Sequence, residues 1–155
     1  MNLFKSYLQK ISIFNKKSTK YIQLNNNVIE TTFTFVRNKK VRFNYQVKDN
    51  FLIYTAYLLD HFQAKQTSDI LTLSQFLNSI SAEGKIKINF HDRNVIFIFK
   101  ENINAINFDK DYTLSKLTMH FEKSKEIWFA LNSLTNDRKD LALIIADIMM
   151  MRSQN

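Results

Sequence analysis

The chain has one glycine, Gly84, and neither proline nor cysteine among its 155 residues. Phosphate-binding glycine loops, dinucleotide fingerprints and nucleophile elbows need at least two glycines at fixed spacing, because only glycine adopts their backbone angles. The sequence excludes all three. The lack of cysteine excludes disulfides, thiol catalysis and thiolate metal sites, so the chain needs no oxidising compartment. We therefore expect a cytoplasmic location.

The length and the hydrophobic content together predict a single domain over residues 1–155. Hydrophobic residues make up 45% of the chain and include 14 phenylalanines, which is enough to form a core without disulfides or metals. The longest hydrophobic stretch, residues 141–151, is about half the roughly 20 residues that cross a bilayer, and Asp147 interrupts it. We expect no transmembrane segment.

The net charge of +8 is distributed unevenly along the chain. Residues 1–48 carry ten basic side chains and one acid, Glu30, whereas residues 49–155 carry twelve bases and thirteen acids. A basic excess of this kind indicates an acidic partner, such as nucleic acid, an anionic membrane or an acidic protein surface. A coding bias toward lysine is the competing explanation, although it does not explain why residues 1–29 contain no acid.

Helical spacing of apolar residues at positions 3, 4, 7, 8, 11 and 14 predicts a basic amphipathic helix within residues 1–17. It either packs on the domain or docks on a partner or membrane surface. Residues 21–24 suggest a short strand, and asparagines 25–27 suggest a turn.

Residues 28–48 alternate between apolar and polar side chains, which predicts a β-hairpin. Its tip is expected at residues 37–40, and Phe43 and Tyr45 should face the core. Residues 51–62 are apolar on every side and are interpreted as a buried helix capped by Asp49 or Asn50. A second helix is predicted from Ser68 or Asp69 to residue 80, ending before Gly84.

A second hairpin is predicted at residues 86–99, with 95–99 as a central strand covered on both faces. Residues 101–108 are a candidate edge strand. Thr113 should begin a long helix, and Asp137 with Asp140 resembles a capping box for the last one. The resulting order is α-ββ(β)-αα-ββ(β)-αα. It predicts an α+β fold, an antiparallel sheet of two hairpins with four to six strands and helices on one face.

No catalytic or metal-binding constellation emerges from the sequence. His61, His91 and His120 are far apart and have no partner at ligand spacing. Glu83 and Lys85 match half of a metal-dependent nuclease signature, but the spacing is common by chance. We therefore expect a protein that is not an enzyme and needs no metal or cofactor.

The leading hypothesis is a binding protein that uses its basic first third to engage an acidic partner, most simply nucleic acid. The candidate contacts are basic side chains of the hairpin and of the segment before it: Arg37, Lys39, Lys40, Arg42, Lys48, Lys16, Lys17 and Lys20. Because Phe43 and Tyr45 should face inward, base stacking on the hairpin is not expected. The competing interpretation is that these lysines protect an exposed sheet edge.

The alternative hypothesis is a protein-interaction module, either an adaptor or a chaperone-like protein. It uses the apolar C-terminal helix, in which Met149, Met150 and Met151 are adaptable contact residues. A homo-oligomer is one form that such an interaction takes.

Overall fold

The structure, a computed structural model, describes residues 18–25, 27–102 and 110–154. Within them one six-stranded antiparallel sheet has the order β1-β2-β3-β4-β6-β5. The strands are β1 (Ser18–Asn25), β2 (Val28–Val36), β3 (Lys39–Lys48), β4 (Phe51–Leu59), β5 (Lys85–Asn89) and β6 (Asn94–Asn102). The helices are α1 (Thr67–Ile80), α2 (Lys110–Thr135) and α3 (Leu141–Ser153). The predicted α+β class is confirmed, and the order of elements here is ββββ-α-ββ-αα.

The predicted first hairpin is formed by β2 and β3. Phe43 and Tyr45 are buried, as their alternation with polar residues predicts. The turn is shorter than expected, because Lys39 and Lys40 belong to β3 and only residues 37–38 connect the strands. Asn38 has φ 65°, a left-handed conformation that asparagine tolerates well.

The prediction of a buried helix at residues 51–62 is wrong, because this segment forms β4. Asp49 and Asn50 do not cap a helix. They have φ 51° and 64° and form a two-residue hairpin turn, the geometry that β-hairpins prefer. The strand is apolar on both sides because it lies inside the sheet, with one side in the core and the other half-covered. A short run with this pattern has the same composition as a buried helix.

The second helix and the second hairpin are confirmed as α1 and β5–β6. The expectation that 95–99 is covered on both faces is wrong. Val95, Phe97 and Phe99 are buried, whereas Ile96 and Ile98 are only half-buried because they lie on the opposite face of the sheet.

Both predicted starts of the last two helices are also wrong. Helix α2 begins at Lys110, so that Thr113 lies inside it. Asp140 is the N-cap of α3 and accepts a hydrogen bond from the Ala142 amide at 2.9 Å. Asp137 cannot begin this helix, because Arg138 has φ 52° and interrupts the helical backbone. The predicted helix in residues 1–17 lies outside the described residues, as does most of the candidate strand at 101–108.

The core lies between α2 and one face of the sheet, which we call the inner face. Phe121 is 4.9 Å from Phe33, and Trp128 is 5.7 Å from Phe35, measured between ring centroids. Helix α1 adds Ile70, Leu73 and Leu77 to the same core. The other side of the sheet is the outer face. Among the helices in the described part of the chain, none has the length and apolar composition needed to cross a bilayer.

The core contains a fully buried histidine, His120, on α2. Its ring is stacked on Phe97 at 5.2 Å, and its Nε2 atom lies 3.4 Å from the Phe97 carbonyl oxygen. Burial lowers the pKa of His120 from 6.5 to about 4, although the hydrogen bond to Phe97 opposes that shift. The ring is therefore neutral at pH 7, and it acts as an aromatic packing residue.

We predict that Gly84→Ala destabilises the fold. Gly84 has φ +76°, and an added Cβ would lie 2.5 Å from Cζ of the buried Phe97 ring. The backbone strain and the clash should together lower the free energy of unfolding by about 2 kcal/mol or more in urea titrations. Ala82→Gly, in the same connection, is the control and should cost less than about 1 kcal/mol. Equal effects of the two exchanges would contradict the prediction.

We also predict that His120 makes stability depend on pH. Below pH 6.5 the unfolded chain binds a proton at His120 that the folded chain does not accept until about pH 4. The free energy of unfolding should therefore fall as the pH decreases through this window, by up to about 3 kcal/mol from this residue.

His120→Phe keeps an aromatic ring and removes the titrating group. Urea titrations at several pH values should give a flatter curve between pH 6.5 and 4 for this variant than for the wild type. Parallel curves would show that His120 does not contribute.

Candidate functional site

The outer face of the sheet carries most of the exposed basic side chains on the described strands. The cations on this face are Lys40, Arg42 and Lys48 on β3, Lys85 and Lys87 on β5, and Lys100 on β6. On the same face of β2 to β6 the only described acid is Glu30. We call this surface the basic face.

The strand register places five of the six cations on β3 and β5, which flank apolar residues of β4 and β6, whereas Lys100 lies at one end of β6. Arg42 pairs with Tyr57, Tyr57 with Ile96, and Ile96 with Lys87, forming one continuous row across four strands. Adjacent strands are about 4.8 Å apart, so the backbones of the two cationic residues are separated by about 14 Å. Ile98 continues the half-buried apolar strip in the next row, where it pairs with Thr55, and Ile53 continues it in the row after that, where it pairs with Lys100.

Arg42 contacts both an aromatic ring and a carboxylate on the basic face. Its guanidinium carbon lies 3.8 Å from the centre of the Tyr57 ring, and its Nη1 atom lies 3.5 Å from the Glu30 carboxylate. A surface ion pair of this kind contributes little stability, but together with the ring it fixes the guanidinium orientation. Half of the Arg42 side chain is still exposed, at 49%. It can therefore receive a phosphate or the face of a base.

Two aromatic residues of the outer face were missed in the sequence. Tyr57 and Phe51 lie on β4, and Phe51 is 39% exposed. Both fell within the segment interpreted as a helix, so no face could be assigned to them. The Asp49-Asn50 pair between two apolar runs was the signal that could have identified the strand.

The candidate binding residues divide into three groups in the structure. Arg37 and Lys39 are exposed at the end of the first hairpin, beside the basic face, and Lys40, Arg42 and Lys48 lie on that face. Lys20 belongs to β1 and pairs with Thr32 on β2, which pairs with Arg42, so Lys20 is two strands beyond Arg42 in the same row. Lys16 and Lys17 lie outside the described residues.

Half of the basic face comes from a part of the chain where sequence reasoning expected no binding residues. Lys85, Lys87 and Lys100 belong to the second hairpin, within the nearly neutral residues 49–155. Antiparallel pairing of β6 with β4 brings them beside the first hairpin. Basic side chains from both hairpins therefore lie on one face of the sheet, including those from the part of the chain that is nearly neutral.

A second candidate surface lies on the helical side of the molecule. Met149, Met150 and Met151 are 58%, 61% and 64% exposed, and Leu143 is 57% exposed. Beside them a groove of about 580 Å³ runs between α2 and α3. Phe129 and Ile148 contribute to its apolar lining, and lysine, glutamate and aspartate side chains also border it.

A polar cluster connects the sheet to α2, with Tyr54 and Glu101 buried and Tyr112 40% exposed. The Glu101 carboxylate accepts hydrogen bonds from the Tyr54 hydroxyl at 2.9 Å and from the Tyr112 hydroxyl at 2.6 Å. Donation to this carboxylate, with some burial, raises the pKa of Tyr112 to about 12. Burial, followed by the charge of Glu101, raises the pKa of Tyr54. Neither tyrosine releases a proton at neutral pH. Both hydroxyls therefore remain hydrogen-bond donors to Glu101, and these bonds join β4 and α2 to β6.

The described residues contain no group of three or more histidine, cysteine, aspartate or glutamate side chains that could hold a metal ion. His61 and His91 are exposed, and His120 is enclosed in the aromatic core. Lys85 lies on the basic face, whereas Glu83 forms an ion pair with Lys116 at 3.0 Å. Glu83 and Lys85, the two residues that match the nuclease signature, therefore lie in different surroundings.

Comparison with known proteins adds information about the fold alone. No protein-family model and no curated protein matches the sequence. The chain is similar to the crystal structure of an uncharacterized protein from Methanothermobacter thermautotrophicus, with a TM-score of 0.51 and 9% sequence identity. The match covers 87% of this chain and 98% of the other. At this identity the two proteins share an architecture, and function must be argued from the surfaces of this chain.

Proposed function

We propose that the protein is a non-enzymatic nucleic-acid-binding protein and that the basic face is its binding surface. The observation that carries the proposal is the arrangement of six basic side chains around an apolar strip, five of them on the flanking strands β3 and β5 and Lys100 at one end. Cations at the margins suit a phosphate backbone, and the strip between them suits bases. A cytoplasmic location, where nucleic acid is accessible, is part of this proposal.

The position of Arg42 favours binding over edge protection. Lysines on an edge strand prevent unwanted strand pairing, which is a sufficient reason for Lys85 and Lys87 on β5. Arg42 differs, because it lies inside the sheet and pairs with Thr32 on β2 and with Tyr57 on β4. Edge protection does not account for Arg42, whereas contact with a polyanion does.

The apolar strip favours single strands over duplexes. A duplex presents its phosphates and keeps its bases stacked inside, so it would leave Tyr57 and its isoleucine neighbours uncovered. A single strand can place a base on the exposed side of the Arg42 guanidinium, which Tyr57 supports from below at 3.8 Å. Lysine ammonium groups read no sequence, so the binding should be sequence-tolerant.

A second candidate function is protein interaction through α3, as an adaptor or a chaperone-like module. The observation that favours it is the exposure of three consecutive methionines, Met149 to Met151, beside an apolar groove. Exposed apolar patches of this kind mark interaction surfaces, and methionine adapts to different partners. This surface lies on the helical side, away from the basic face, so both functions can operate in one molecule.

We predict that the protein binds a fluorescein-labelled single-stranded oligonucleotide of about 20 nucleotides, with affinity that falls steeply as salt rises. Four phosphate contacts would weaken binding about 50-fold between about 50 and 200 mM salt. Fluorescence anisotropy measures this directly. A duplex of the same sequence should bind more weakly. Absence of binding at low salt, or binding independent of salt, would overturn the proposal.

Charge reversal on the basic face provides the mutational test. The triple variant Lys40→Glu, Lys87→Glu, Lys100→Glu changes three exposed side chains and should lower the affinity at least 100-fold. Lys65→Glu, Lys125→Glu, Arg138→Glu makes the same change in net charge outside the basic face. This control should retain binding within about fivefold of the wild type. Equal losses in both variants would mean that net charge, and not this face, determines binding.

A further inference from the structure

Helix α3 is apolar on almost every side, although one side is exposed. Its inward residues Ile144 and Ile148 belong to the core. Its outward residues are also apolar, and Leu143 and Met150 are 57% and 61% exposed. A helix that is hydrophobic all round is normally covered on all sides. The exposed side therefore has the composition of an interface.

The two charged side chains of α3 are already engaged within the same chain. Asp147 pairs with Lys139, and the Arg152 guanidinium donates a hydrogen bond to the Ile80 carbonyl oxygen at 2.8 Å. The outward stripe is formed by Leu143, Ala146 and Met150 and contains neither of these charged residues. The stripe has no charge that would select an acidic or a basic partner.

We propose that this stripe packs against the same stripe of a second copy, giving a two-fold symmetric dimer. Leu143, Ala146 and Met150 follow the i, i+3, i+7 spacing of one helix face. If two such helices cross antiparallel near Ala146, Leu143 of one chain meets Met150 of the partner subunit. The small alanine at the centre lets the two helices approach closely. The proposal deepens the protein-interaction function and is independent of nucleic-acid binding.

The charge distribution favours a second copy as the occupant. Residues 110–154, which form α2, α3 and their connection, carry seven bases and six acids. Two helical sides can therefore meet with little repulsion, even though each chain has a net charge of +8. Contact through the basic faces would bring the two strongest positive potentials together. The molecule thus has one side that is suited to self-association.

The size of the interface requires the groove as well as the stripe. A 13-residue helix is about 20 Å long, and a stable dimer buries about 800 Å² on each subunit. The stripe alone is too narrow for that area. The adjoining groove, where Phe129 is 40% exposed, provides further apolar surface for methionine side chains from the partner subunit. We therefore expect Phe129 to be buried in the dimer.

Sedimentation equilibrium of the full chain tests the proposal. Between about 1 and 100 µM the mass should rise toward twice that of one chain. Leu143→Glu and Met150→Glu should each raise the dimer dissociation constant at least 100-fold, because each places a charge inside the apolar contact. Phe90→Glu, at a residue that is 54% exposed in the β5–β6 turn, should leave the mass unchanged. A monomer at every concentration would overturn the proposal, as would a dimer that both α3 variants preserve.

Cysteine crosslinking tests the symmetry without adding a charge, and the native chain has no cysteine to interfere. Ala146→Cys lies near the proposed axis and should form a disulfide-linked dimer under mild oxidation. Ala142→Cys is the matched control, since its copies would be about 13 Å apart along the helices, which is too far for a disulfide. Crosslinking at position 142 and not at 146 would contradict the proposed packing. The Lys40→Glu, Lys87→Glu, Lys100→Glu variant should retain its dimer mass, so failure of nucleic-acid binding is distinguishable from failure of the dimer.

Discussion

The packing of α2 across the inner face of the sheet is the contact on which the rest of the structure depends. One helix touches aromatic residues of several strands: Phe121 meets Phe33 on β2, and His120 meets Phe97 on β6. The tilted and stacked geometries of these rings add to the free energy of burial. Because this helix and α1 cover the inner face, the outer face is left to polar, basic and half-buried apolar residues. The two-sided character of the protein follows from this contact.

The elements that could be predicted from the sequence are those with one apolar and one polar side. The hairpin β2–β3 and helix α1 each bury only one side, so their periodicity identified both the structure and the buried residues. Strand β4 could not be recognised in this way. Leu52 and Tyr54 face the core while Ile53 and Tyr57 form the centre of the outer face, so polar alternation is absent. The turn at Asp49 and Asn50 was the remaining local signal.

The residues of the candidate site could be predicted from the sequence only in part. The sequence placed the basic excess in residues 1–48, and Arg42 and Lys48 do lie on the basic face. Lys85, Lys87 and Lys100 were not recognised, because nearby acids cancel their charge when it is summed along the chain. In three dimensions those acids are elsewhere: Asp92 is in the β5–β6 turn, Glu83 pairs with Lys116, and Glu101 is buried on the inner side. Acidic and basic residues that are close in the sequence cancel when their charges are summed. The sheet places alternate strand residues on opposite faces, so one face can be basic although the segment as a whole is nearly neutral.

The basic face and the α3 stripe lie on opposite sides of the sheet, so dimerisation would affect how nucleic acid binds. A dimer formed through α3 directs both basic faces outward, so one nucleic-acid strand cannot lie flat across the two of them. A long strand that wraps around the dimer, or two separate strands, can occupy both. In the first case, binding to one face raises the effective concentration of the strand at the other, and avidity increases without any new contact. In the second case, the dimer brings two strands together. The length of the bound strand therefore determines whether dimerisation strengthens binding or bridges separate molecules.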